Sequence, residues 1–117
     1  MPINAKSGSH MRKLLPVTLA ILSGLTVGAL AATSQVIHQQ GRVFSIESVT
    51  IKKGEALTFL NDDSVPHNIL SSSKGNEFNL GSQAPGMSTD VTFKESGDVQ
   101  VLCAIHPRMK MMVKVTD

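Results

Sequence analysis

Seven consecutive residues, Cys103-Ala104-Ile105-His106-Pro107-Arg108-Met109, contain the only cysteine of the chain, a histidine three positions later and a methionine three positions after that. A thiolate, an imidazole and a thioether form a soft ligand set. Such ligands select copper(I), zinc or iron–sulfur clusters over magnesium or calcium. A second histidine, His67, lies 36 residues upstream of the cysteine in a loop-like stretch. A fold that brings His67 onto this segment completes a His₂Cys set with a nearby Met. That is the ligand set of a blue-copper electron-transfer site.

The scaffold that must do this reads as short strands. Val99, Val101 and Cys103 alternate along one face of a run that ends at the cysteine, and Met111, Val113 and Val115 alternate along the run Lys110 to Thr116. Side chains with a period of two belong to strands. Gln35 to Ser45, Val49 to Ile51, Ala56 to Leu60, His67 to Leu70, Glu77 to Leu80 and Ser88 to Lys94 are further strand candidates. Asn61-Asp62-Asp63-Ser64 is a loop of residues whose side chains bond their own backbone. Lys53-Gly54-Glu55, Gly81 to Gly86 and Glu95-Ser96-Gly97-Asp98 read as turns. No stretch after the N-terminal segment sustains a helical period over about ten residues. Evenly spaced short strands predict an all-β antiparallel sandwich or barrel of seven or eight strands. Its expected core is Phe44, Ile46, Val49, Ile51, Leu57, Phe59, Ile69, Val91, Phe93, Val99, Val101, Val113 and Val115.

A chain of 117 residues allows one small domain. The N-terminal segment accounts for the basic balance. Residues 1–31 hold Lys6, Arg12 and Lys13 and no acid, which leaves eight Lys or Arg against nine Asp or Glu from residue 32 onward. Without a basic cluster interleaved with aromatics, the sequence gives no sign of a nucleic-acid surface. Arg12-Lys13, the apolar run Leu14 to Leu30 and Ala29-Leu30-Ala31 have the order of a secretory signal peptide. Cleavage is expected after Ala31, with residues 32–117 as the exported domain and the periplasm as its compartment. An uncleaved anchor is the rival reading, weakened by Pro16, Ser23, Gly24 and Gly28 in a run short for a bilayer. Gly8-Ser9-His10-Met11 resembles a cloning scar, so residues 1–10 read as vector-derived or upstream of a natural start at Met11. An exported lone cysteine has no internal disulfide partner; it is a free thiol, an intermolecular bridge or a ligand.

Taken singly, these residues have ordinary explanations. A lone Cys on a strand is usually a small buried hydrophobe, and His67 after Pro66 is usually a surface imidazole. The joint spacing reverses both readings. The stretch Asn61 to Ile69, followed by Cys103-x-x-His106-Pro107-x-Met109, resembles the cupredoxins, closest to the amicyanin- and plastocyanin-like small copper proteins. The resemblance spans about Val43 to Val115 and includes the Gly54-Glu55 and Gly97-Asp98 turns. It implies a Greek-key β-sandwich with one type 1 copper ion near one end. By position, His67, Cys103 and His106 would be equatorial ligands and Met109 the axial one, with Asn68 helping to tie the ligand loops together. In longer-loop members such as plastocyanin the axial Met follows the His by five residues, which is the spacing of Met111. Short-loop members often have Gly where Met111 stands. Alternation places Met111 on the inward face of the last strand, so Met109 is preferred and Met111 reads as core filler. Met112 reads as rim, Met87 as a packing residue and His38 as exposed without a partner.

Three functions compete. The first is a monomeric one-electron carrier between redox partner proteins, with electrons entering at the exposed edge of His106 and Arg108 favouring an acidic partner patch. The second is a copper-handling protein, a carrier, chaperone or sensor, which the extra methionines Met111 and Met112 would suit. The third, an adhesion or assembly module without metal, leaves the ligand quartet unexplained. No Ser–His–Asp order and no second metal cluster is legible, so the sequence does not read as an enzyme.

Overall fold

The structure, a computed structural model, describes residues 34–117 together with 2–4, 24 and 26. The expected leader therefore lies outside the described residues apart from those few positions. The chain divides into two units, Met1–Leu30 and Ala31–Asp117, and the second contains all the strands described here.

Nine strands are present among the described residues: β1 (Gln35–Gln40), β2 (Val43–Phe44), β3 (Ser48–Lys52), β4 (Ala56–Asn61), β5 (His67–Ser71), β6 (Phe78–Gln83), β7 (Ser88–Thr92), β8 (Gly97–Cys103) and β9 (Lys110–Thr116). They form two sheets, one in the order β2-β1-β4-β7 and the other β3-β9-β8-β5-β6. The chain passes repeatedly from one sheet to the other, and the apolar faces meet in one core. Ile37, Leu57, Phe59, Ile69, Phe93, Val101 and Val113 are completely buried there. Burying each of the larger side chains stabilises the fold by roughly 1.5–3 kcal/mol. Edge-on aromatic pairs, Phe44 with Phe59 and Phe78 with Phe93, fill the space between strands.

The strand pattern is as the alternation predicts, with four differences. The stretch Gln35 to Ser45 is not one extended run but a hairpin. Gly41 and Arg42 both take positive φ, 63° and 58°, and turn β1 back on β2. Two successive left-handed residues make the mirror-image turn that suits a two-residue hairpin. The sheets are mixed, not antiparallel: β1 runs parallel to β4 and β3 parallel to β9. Parallel neighbours need a crossover, and here the intervening chain supplies it by visiting the opposite sheet. Strand β6 continues to Gln83, where a turn from Gly81 was expected, with a bulge opposite Asn68–Leu70. Finally, Ile46 and Val49 are only partly buried, while Ile37, Cys103, Met109 and Met111 join the core. Gly75 sits where the chain has no room for a side chain: a Cβ there would lie 2.9 Å from Glu95 Cβ and Cγ.

Candidate metal centre

Strand β5 begins at His67, and β8 ends at Cys103 beside it, with Ile69 opposite Cys103 in the antiparallel pairing. The loop from Cys103 to Lys110 returns at once as β9, the partner of β8 along six residue pairs. Two backbone bonds close this loop: Cys103 N–H donates to Met109 O at 3.1 Å, and Met109 N–H donates to His106 O at 2.9 Å. The turn places His106 over Cys103.

Three donor atoms converge as a result. His67 Nδ1 lies 3.1 Å from His106 Nδ1, and Cys103 Sγ lies 3.9 Å from the first and 3.8 Å from the second. The point equidistant from three atoms so placed is about 2.1 Å from each, within reach of the roughly 2.0–2.3 Å bonds that imidazole and thiolate make to a divalent metal. The residues therefore fit a metal ion without rearrangement. Cys103 and His67 are buried and His106 is half-buried. The Asn68 N–H points at Cys103 Sγ at 3.4 Å, a weak bond that ties the start of β5 to the sulfur.

Met109 is completely buried, and its backbone is tied to both Cys103 and His106. Met111 is also buried, but it faces Val101 across the β8–β9 ladder, in line with Val113 and Val115. Alternation along β9 accounts for Met111 as core. Met112 is half-buried, and Met87 is substantially exposed, with its sulfur near the Ala84 N–H.

His67 is held from behind. Its Nε2 lies 3.0 Å from Asp63 Oδ2. The Arg42 N–H holds the Asp63 carboxyl well below its ordinary value, to about 2, against the upward pull of burial; the Ser64 N–H and the His67 ring add to the lowering. Asp63 is thus an anion across the working pH range. Asn61, completely buried, organises the same loop. Its Nδ2 donates to Val65 O and Gln83 O, and its Oδ1 accepts the Asp63 N–H. Gln83 in turn donates to Phe59 O and accepts from buried Gln39. This amide network under the His67 loop was not legible in the sequence, because nothing in the residue types marks Gln39 and Gln83 as buried.

Two smaller readings need correction. The Asn68 side chain does not join the ligand loops. It donates to Asn79 Oδ1 on β6, and only the Asn68 backbone reaches Cys103. His38 is exposed as expected, yet it is partnered: its ring pairs with the Asp62 carboxylate.

Comparison with known proteins agrees with the geometry. The family model for copper-binding proteins of the plastocyanin/azurin family matches residues 31–116. A search of curated proteins finds no match. Among solved structures, a purple cupredoxin from Nitrosopumilus maritimus is 27% identical, with a TM-score of 0.63, over 71% of this chain and 100% of the other. An amicyanin is 21% identical, with a TM-score of 0.66, over 74% of this chain and 86% of the other. The copper-containing nitrite reductase of Thermus scotoductus SA-01 is 22% identical, with a TM-score of 0.70; the match covers 88% of this chain but only 27% of that enzyme. The last two likenesses bear on the fold alone. With a family model matched across nearly the whole described domain and a soft donor triangle sized for an ion, the chain belongs to the plastocyanin/azurin family of copper-binding proteins: it is a cupredoxin, and copper is its metal.

Proposed function

We propose that the protein is an exported one-electron carrier whose copper is held by His67, Cys103, His106 and Met109. The convergence of one sulfur and two ring nitrogens at 3.1–3.9 Å from one another carries this reading. Copper, when bound, supplies the one-electron couple; the chain's part is to hold its donors still. Strands β5, β8 and β9 fix His67, Cys103 and the return from Met109, so little needs to move between oxidation states. His106 is the port. It is half-buried and flanked by exposed Ala104, Ile105, Pro107 and Arg108. An apolar rim with one cation suits transient docking against a partner with an acidic patch. Residues 1–31 act as the export signal, which places the carrier in the periplasm, and the domain works as a monomer without enzymatic activity of its own. Among the described residues, no helix is long and apolar enough to cross a membrane.

The test is to load the protein with copper(II) and record its visible spectrum and reversible reduction. An intense thiolate-to-copper band with reversible cycling is expected, and Cys103→Ser should abolish the band. A colourless protein that binds only copper(I) would overturn electron transfer in favour of copper handling.

A further inference from the structure

We propose that Asp63 is a positioning residue of the metal centre: it fixes the tautomer and aim of His67 and, through its charge, biases the copper couple toward the oxidised ion. The inference rests on His67 being a ligand, as proposed above. It starts from the proton inventory of one ring. A neutral imidazole carries one N–H, and an ionised carboxylate only accepts. Because Asp63 Oδ2 lies 3.0 Å from His67 Nε2, the proton belongs on Nε2. The bare lone pair is then on Nδ1, the atom that faces His106 Nδ1 and Cys103 Sγ. His67 has no exposed surface, so water cannot provide the same service.

The carboxylate is itself fixed at both oxygens. Asp63 Oδ2 also accepts the Arg42 N–H at 2.9 Å, and Oδ1 accepts the Ser64 N–H at 3.0 Å. The Arg42 N–H comes from the β1–β2 turn, across the sandwich from the ligand strands. Arg42 holds φ at 58°, a left-handed conformation costing a non-glycine residue roughly 1–2 kcal/mol. Strained backbone of this kind persists where surrounding structure over-determines it. Here two further ties dock the ligand loop on the hairpin: the Asp62 N–H donates to Gln39 O, and the His38 ring pairs with the Asp62 carboxylate. The hairpin thus belongs functionally to the metal centre, although it contributes no ligand. No partner bonds His106 Nε2 in this way among the described residues.

A carboxylate that accepts from a ligating imidazole raises the basicity of that ligand, and loss of such a partner lowers metal affinity by about 10–100-fold. The more highly charged ion gains most from the anion. Asp63→Asn keeps the shape and an acceptor oxygen but removes the charge. Asp63→Ala removes both, and Asp63→Glu restores the charge. In Asp63→Asn the colour should remain while copper(II) affinity falls about tenfold more than copper(I) affinity, which for a one-electron couple is a rise in potential of about 59 mV. Asp63→Glu should recover part of that shift. In the copper-free protein, nitrogen NMR of His67 should show the Nε2–H tautomer in the parent and in Asp63→Asn, and a mixture in Asp63→Ala. Coloured Asp63→Asn and Asp63→Ala proteins with the parent's potential, or a copper-free parent showing the Nδ1–H tautomer, would overturn the proposal while leaving the ligand assignment intact. Retention of the parent's copper band after His67→Ala would instead remove the reading beneath it.

Discussion

His67 enters the metal centre from a loop whose side chains bond its own backbone, whereas His106 enters from a loop closed by two backbone hydrogen bonds. On the first side, Asn61, Asp63 and Ser64 bond within the loop, and Arg42, Gln39 and Gln83 anchor it to neighbouring strands. On the second, the Cys103–Met109 and Met109–His106 backbone bonds do the work, and Ala104, Ile105, Pro107 and Arg108 face outward. The contrast teaches a division of labour. One imidazole is built into the core, while the other stays close to solvent.

The most severe way to test that division is to remove each ring and offer a free one. Both His67→Gly and His106→Gly should lose the parent's copper spectrum. Added imidazole should restore an intense thiolate-to-copper band in His106→Gly, whose gap opens to solvent, and fail in His67→Gly, whose gap is enclosed. Equal rescue at both positions would erase the distinction. A smaller effect concerns the loops themselves. Asn61→Ala strands the Val65 and Gln83 carbonyls and the Asp63 N–H, at about 1–3 kcal/mol per unsatisfied group. Denaturant unfolding should register a loss of about 3 kcal/mol, whereas Arg108→Ala should stay within about 0.5 kcal/mol.

The two methionines sharpen the same line. Met109→Leu should leave copper bound and raise the potential measured by voltammetry. Met111→Leu, a swap of similar volume in the core, should cost less than about 1.5 kcal/mol and leave the potential alone. The reverse result would move the fourth ligand to Met111. Smallest of all, Arg42→Gly keeps the N–H that Asp63 accepts and relieves the left-handed strain. Thermal unfolding should rise slightly, because the roughly 1–2 kcal/mol of strain exceeds the roughly 0.5–1 kcal/mol of added backbone entropy. The copper spectrum should be unchanged.

Strands and inward faces were legible because they rest on local alternation. Val99, Val101 and Cys103 on β8, and Met111, Val113 and Val115 on β9, are buried as their spacing predicts. The donor triangle was legible for a related reason: Cys103 and His106 share a loop, and with one cysteine and four histidines in the chain these residue types stand out. What could not be read was anything set by non-local pairing. Gln39, Asn61 and Gln83 are polar residues with nothing local to mark them as buried, and only the approach of β1, β4 and β6 gives them partners. The positive φ of Arg42 needed the hairpin, and the hairpin needed a turn that Gly41 alone only suggests. Asp63 was visible as a loop residue, but its bond to His67 depends on the loop closing into one particular turn.

The parallel pairing of β3 with β9 has a consequence in time. Among the described residues, Ser48–Lys52 has no hydrogen-bonding neighbour in its sheet other than Lys110–Thr116. Almost the whole domain must therefore be available before the second sheet can close, and contacts this distant in sequence form slowly. For a chain exported as a thread, as proposed above, that delay keeps it in a form a translocation channel can accept. Copper that enters the assembled pocket shifts the finished fold further from unfolding by mass action.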